Sequence, residues 1–174
     1  MNDSWKRLIV RNLLREWNCD VVCLQETKLA GMDRWLIGSL WSCPYVDWIA
    51  LDVVQTAGGV LMMWDRRALE KLEVMVGQFS ISVWWQRLGA SYIWACSGVY
   101  GPNDNNLRGQ MWDELMGIQQ LWEVPWCYIG DFNIVQFPSE GLGGSSLTPA
   151  MENFSEFIEE LSLIDLPLEG GNYT

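Results

Sequence analysis

At 174 residues the chain has the length of one domain with room for a sizeable core. Its composition, 49% hydrophobic with 12 tryptophans against 19% charged residues, excludes a disordered chain. Lys and Arg number 11 against 22 Asp and Glu; the formal charge of −11 opposes nucleic-acid binding at long range and suits a site that gathers divalent cations.

In chain order, Ser4–Trp17 has helical spacing, with Ile9, Leu13 and Trp17 on one side, Asp3 and Ser4 as cap candidates, and Lys6, Arg7, Arg11 and Arg15 on a solvated face. Asp20–Gln25 is a short apolar run of strand length that ends at Glu26, Thr27 and Lys28, and a short helix is expected near Met32–Trp41. Five strand-like runs follow at Val46–Leu51, Gly59–Trp64, Lys71–Val76, Ser80–Gln86 and Tyr92–Tyr100, separated by turn signals such as Gly58-Gly59, Gly77 and Gly89. A helix is predicted over Leu107–Trp122, with Met111, Leu115, Ile118 and Trp122 on one face. Another follows Thr148 as N-cap and Pro149 at its first position, with Met151, Phe154, Ile158 and Leu161 inward. The Gly141–Ser146 stretch is glycine-rich but lacks the Lys-Ser or Lys-Thr of a phosphate-cradling loop, and reads as a mobile loop.

Consecutive strands between flanking helices predict an α+β fold: a single domain over 1–174, most simply two packed sheets with helices outside. No run of about 18 apolar residues exists and no basic stretch precedes an apolar one at the N-terminus. The expectation is a soluble, intracellular protein with no membrane partner. Cys19, Cys23, Cys43, Cys96 and Cys127 are odd in number, without a CxxC pair and without a single histidine, so reduced, buried thiols are expected and no zinc.

The apolar run Pro125–Ile129 ends at Gly130-Asp131-Phe132-Asn133, so an acid and an amide emerge together from a strand end, where α/β proteins build active sites. Gly130 permits tight backbone geometry, Phe132 can turn back into the core, and Asp131 and Asn133 can face one cleft. Phosphodiester hydrolysis needs a hard cation, a group that orients or deprotonates water, and fixed donors for the charge that develops. Glu26 suits a Mg²⁺ ligand, Asp131 the activation of water and Asn133 the donor, while Tyr100 and Asn103 of VYGPN offer a phenol and an amide from a second strand end. Each also has a structural reading: a solvated Glu26, a core-packed Tyr100, an Asn103 that shapes its turn, a solvated Lys28.

LQETK at Leu24–Lys28, VYGPN at Val99–Asn103 and GDFN at Gly130–Asn133, in this order, resemble the endonuclease/exonuclease/phosphatase superfamily with its DNase I-like fold. Phe137-Pro138-Ser139-Glu140, Gly143-Gly144, Ile164–Leu168 and Gly170–Thr174 resemble, more narrowly, the apurinic-endonuclease-like domain of plant non-LTR (LINE-type) retrotransposons. The resemblance implies a four-layer α-β-β-α sandwich of two mixed sheets and a Mg²⁺-dependent (Mn²⁺ also usable) DNA endonuclease acting on double-stranded DNA, nuclear where functional. It implies Glu26 as metal ligand, Tyr100 as phosphate contact, Asn103 as supporting residue, Asp131 as activator of water and Asn133 as transition-state donor; Asp165 and the Leu-Pro-Leu segment look structural. The family places an Asn-bearing strand before the opening helix and a Ser-Asp-His motif after the Tyr-Thr strand, so the chain reads as an internal piece of the domain. Two expectations follow from this: no measurable nicking by the isolated chain, and self-association through exposed sheet edges. The alternatives are an inositol-phosphate or lipid phosphatase of the same superfamily, which Ile134-Val135 after Asn133 disfavours, and a non-catalytic remnant.

Overall fold

The structure, a computed structural model, describes residues 3–27, 31–52, 58–140 and 146–166. Lys28, Gly141–Ser145 and the Pro167–Thr174 tail singled out above lie outside the described residues.

The opening helix α1 (Ser4–Trp17) begins where the Asp3 carboxylate accepts the Trp5 N–H at 2.8 Å and ends at Asn18 in the left-handed region, φ 49°. Its buried row is Val10 and Leu14; Ile9 and Trp17, expected inward, are 44% and 62% exposed. The helix carries two apolar rows at i, i+4 spacing, and the row that meets the residues of α2 (Arg34–Leu40) is the one that packs. Arg7 lies over the exposed Trp35 ring, 5.7 Å from its centre.

Two sheets follow. β1 (Val21–Leu24), β2 (Val46–Leu51) and β3 (Val60–Asp65) form an antiparallel sheet in the order β1-β3-β2, with Leu24 opposite Leu61. β4 (Leu69–Val76), β5 (Ser80–Arg87), β6 (Ile93–Tyr100) and β7 (Trp126–Asp131) form the second, in chain order. Its first three strands are antiparallel, whereas β6 and β7 run parallel because α3 (Asn105–Gln119) returns the chain to the same end. Cys96 then stands opposite Cys127 and Tyr100 opposite Asp131.

Three apolar clusters make the layers α-β-β-α. Leu14, Ile37 and Leu40 cover the outer face of the first sheet against Val22, Leu61 and Met63. Between the sheets, Val60, Met62 and Trp64 meet Ile81, Val83 and Trp85, with the Trp64 and Trp85 rings edge to face at 5.1 Å. Outside the second sheet, Met111, Trp112 and Leu115 of α3 and Phe157 of α4 (Pro149–Glu160) pack on Phe79 and Val99. The Thr148 hydroxyl accepts the Met151 N–H at 3.3 Å, so the cap read from the sequence forms. Phe157, which the inward row of α4 left out, is the helix's most buried residue; Phe154, Ile158 and Leu161 flank it. Trp122 is buried but lies past the end of α3, its indole N–H donating to Glu73 at 3.0 Å. From α3, Glu114 accepts the Gln78 N–H at 2.6 Å, the Phe79 N–H at 3.2 Å and the Ser80 hydroxyl at 2.7 Å, and so captures the tip of the β4–β5 hairpin.

Gly98 is tightly packed against the other sheet: a Cβ there would lie 2.5 Å from Cys23 Sγ and 3.1 Å from Met62 Cε. Gly98→Ala should cost about 1–3 kcal/mol by overpacking, and Cys23→Ala in the same chain should recover part of it, which a urea-unfolding double-mutant cycle measures. At the end of β3, Arg67 donates from Nε and Nη2 to Asp65 and holds its carboxyl at about 2, below the ordinary 3.8. A folded pKa below the unfolded one contributes stability that is fully present above 3.8 and lost as pH falls through about 2. Asp65→Asn should therefore lower stability at neutral pH and flatten the acid limb of a stability-against-pH curve across that window.

Candidate active site on one rim of the sandwich

β1, β6 and β7 end at the same edge, and the residues that follow them define the rim. Glu26 is exposed two residues past β1, with φ 53°, a left-handed conformation that costs a non-glycine residue energy. The Thr27 N–H donates to the Gly59 carbonyl at 3.2 Å and ties this turn to the start of β3. Gly58 lies against both Glu26 and Tyr100: a Cβ there would be 3.1 Å from Glu26 Cα and Cγ and 2.8 Å from Tyr100 Cε1. Only a residue without a side chain lets the carboxylate-bearing turn and the phenol ring come this close.

Gly130 (φ 147°) is just as constrained, since a Cβ there would strike the Val99 carbonyl and approach Gln25 Nε2 to 3.0 Å. Gln25 thus brings the end of β1 beside the end of β7. The Gly101 N–H donates to the Asp131 carbonyl at 2.6 Å, extending the parallel pairing by one step. Asp131 Oδ1 accepts the Asn133 N–H at 2.8 Å, an Asx turn made possible by the left-handed Asn133, φ 52°. Asn133 Nδ2 donates to the Gly101 carbonyl at 2.6 Å, so one amide hydrogen holds the VYGPN and GDFN loops together, and among the described residues the other has no acceptor. Among the described residues, Asp131 Oδ2 has no donor; the carboxylate is fixed by one oxygen and presents the other. Phe132 does turn inward and stacks on Trp112 at 5.8 Å.

Tyr100 is half-buried against the inter-sheet cluster, its N–H donating to the Phe79 carbonyl at 3.2 Å. The Asn103 side chain is exposed, and what the structure draws into the scaffold is its carbonyl. Glu26, Tyr100, Asp131 and Asn133 are therefore brought to one rim, with Asn103 at its margin. A cavity of about 420 Å³, lined by Asp47, Trp64, Arg66 and Lys71 among others, lies at the opposite ends of the strands. Among the described residues no cluster of three or more His, Cys, Asp or Glu could hold a metal ion, and no helix is long and apolar enough to cross a membrane.

Arg108 is the residue that sequence reasoning missed. Only 9% exposed, it donates from Nε to the Pro102 carbonyl at 3.0 Å and from Nη2 to the Asn103 and Asn133 carbonyls at 3.0 and 3.2 Å; Nη1 reaches Asn105 Oδ1. Burial lowers its pKa and Asp104 opposes that shift. One planar cation thus joins both motif loops. The available signal was its position: Arg108, Met111 and Leu115 recur at i, i+3, i+7, a basic residue in the apolar row of α3.

The sequence matches no family model and no curated protein, but the fold has solved counterparts. An AP endonuclease from Leishmania major superposes with a TM-score of 0.64 at 15% identity, covering 86% of this chain and 60% of that one. An endonuclease/exonuclease/phosphatase family protein from Bacteroides thetaiotaomicron gives 0.57 at 13% identity, covering 76% and 56%. The human Nocturnin catalytic domain, crystallised with a sulfate anion, gives 0.53 at 12% identity, covering 75% and 58%. These likenesses establish the DNase I-like fold expected from the three motifs, and the chain spans between 56% and 60% of the length of these structures.

Arg108→Met should destabilise the chain by more than about 2 kcal/mol, because several carbonyls lose a charged donor at once. Arg108→Lys should restore little of it, since an ammonium cannot span the fork. Equal urea midpoints for all three chains would mean that water satisfies those carbonyls as well.

Proposed function

We propose that the rim is a phosphodiester-hydrolysing site of the DNA endonuclease type, of LINE-like retrotransposon origin, with double-stranded DNA as the partner of intact relatives and a nuclear place of action. The observation that carries this reading is the convergence of Glu26, Tyr100, Asp131 and Asn133 at the ends of three strands, with Asp131 oriented by the backbone of Asn133. The ordered motifs LQETK, VYGPN and GDFN supply the finer assignment.

In this reading Asp131 Oδ2 accepts the proton of an attacking water, Oδ1 being occupied by the turn. The second amide hydrogen of Asn133 donates to the phosphoryl oxygen on which charge accumulates. Tyr100 bounds the phosphate from the neighbouring strand, and Asn103 supports it from the margin. Glu26 suits Mg²⁺ or Mn²⁺ as an exposed single carboxylate, because Mg²⁺ keeps several waters and takes few protein ligands. Bound there, the cation would neutralise phosphate charge.

The chain contains no histidine, so nothing in it supplies an imidazole to the phosphate. Loss of one fixed transition-state donor costs about 10²–10³ in rate, and the net charge of −11 weakens encounter with DNA. With Glu26 as the one carboxylate assigned to it, the cation should bind weakly, and without that donor the isolated chain should nick supercoiled plasmid at background. Titration calorimetry with Mn²⁺ should give weaker binding in Glu26→Gln than in the parent; equal affinities would remove Glu26 from the site. Nicking by the parent that vanishes in Asp131→Ala would support the site and overturn the expected inactivity. Release of inorganic phosphate from an inositol phosphate, lost in the same variant, would move the assignment to a phosphatase.

A further inference from the structure

Four residues before Tyr100 and Asp131, the same two strands carry a second matched pair. Cys96 of β6 is directly opposite Cys127 of β7, and the Cys127 thiol donates to Cys96 Sγ at 3.7 Å. Both belong to the inter-sheet layer, Cys96 fully buried and Cys127 half-buried on a strand that is the sheet's edge among the described residues. Neighbouring strands lie about 4.8 Å apart, inside the roughly 4.4–6.8 Å window of Cα separations that a disulfide spans. The register and the 3.7 Å between the sulfurs thus place the pair within reach of a disulfide by side-chain rotation. The third sulfur of this layer, Cys23, approaches from the other sheet beside Gly98 and accepts a hydrogen bond from Gln25 Nε2 at 3.7 Å.

We propose that Cys96 and Cys127 form an oxidisable thiol pair that closes into a disulfide between β6 and β7 on reaction with a peroxide. The Cys127 thiolate attacks one peroxide oxygen; the S–O bond forms as the O–O bond breaks, and the leaving hydroxide takes up the proton released by the thiol. Cys96 sulfur then attacks Cys127 sulfur, the S–S bond forms, the S–O bond breaks, and hydroxide leaves as water with the Cys96 proton. Two thiols and one hydrogen peroxide become one disulfide and two waters.

The division of roles follows from access: Cys127 is half-buried on the edge strand, whereas Cys96 is fully buried behind it, so a peroxide meets Cys127 first. A thiolate at Cys127 that accepts from the Cys96 thiol has its pKa lowered by that contact, in the same direction. Cys23 is pushed up to about 12 by burial and stays a thiol, a bystander. The disulfide would fix the spacing of the strands that end in Tyr100 and Asp131. Its formation does not depend on how the rim is read.

The test uses the whole chain, reduced, freed of reductant and treated with hydrogen peroxide, then digested without reductant for mass spectrometry. The expected product is a Cys96–Cys127 cross-linked peptide, lighter by two hydrogens than the reduced pair and restored by dithiothreitol. Cys23→Ser should still form it, and in urea, where the register is lost, the pair should lose its preference over other cysteine pairs. A Cys127–Cys23 bond, sulfenic or sulfinic acid persisting at Cys127 beside an unreacted Cys96, or oxidation confined to Cys19 and Cys43 would each overturn the proposal. The parent and Cys23→Ser carry the decision, so it does not rest on whether a variant of the pair itself folds.

Discussion

The parallel pairing of β6 with β7 is the constraint on which the rest depends. Among the described residues every other pairing in the two sheets is antiparallel, which leaves paired strands ending at opposite edges. One parallel pair puts two consecutive strand ends on the same edge, and only then can the loops after Tyr100 and Asp131 meet. Such a pair needs a connection long enough to travel back along the sheet, which α3 provides. That helix begins in the VYGPN loop and carries Arg108 in its first turns, so the element that makes the pairing parallel also locks the two loops it brings together.

The sandwich adds the third strand end. β1 belongs to the other sheet, and its distance from β6 and β7 is set by what fills the layer between. Trp64 and Trp85 fill that layer away from the rim, while Gly98 packs directly on Cys23 nearer to it. At the rim itself Gln25 reaches Gly130, and Gly58 nestles between Glu26 and the Tyr100 ring. The layer is therefore graded by composition, with aromatic volume at one end and glycines at the other.

Much of this was legible because it is local. The Thr148-Pro149 start of α4, the Asp3 cap and the extent of α1, and the bounds of β2 follow from capping chemistry and short-range periodicity, and the structure reproduces them. The candidate residues at strand ends were legible for a similar reason: an apolar run that stops at an acid marks an edge. Relations between distant segments were not legible. Choosing Val10 and Leu14 over Ile9 and Trp17 depends on where α2 docks, and the central place of Phe157 depends on Trp112 and Tyr128 opposite it. Arg108 acts mainly on backbone carbonyls, groups that every residue possesses and that no sequence pattern distinguishes. Gly58 looked like a turn glycine, and its role as a gap between the candidate side chains of Glu26 and Tyr100 exists only in three dimensions.

The capture of the β4–β5 hairpin tip by Glu114 bears on how the molecule opens. Amide hydrogens at a hairpin tip ordinarily trade with solvent within the fraying of the turn itself. Here those of Gln78 and Phe79 are held by a carboxylate from a helix more than thirty residues away in sequence. Their release requires the Glu114 carboxylate to leave them, by rotating toward solvent or by α3 lifting from the sheet, and α3 cannot lift without parting Phe79, Met111 and Leu115. The hairpin tip and the crossover helix are thus joined by a single carboxylate, which adds a long-range restraint to amides that a bare turn would leave to its own fraying. The Tyr100 N–H, bonded to the Phe79 carbonyl, ties the end of the rim strand β6 to that same hairpin.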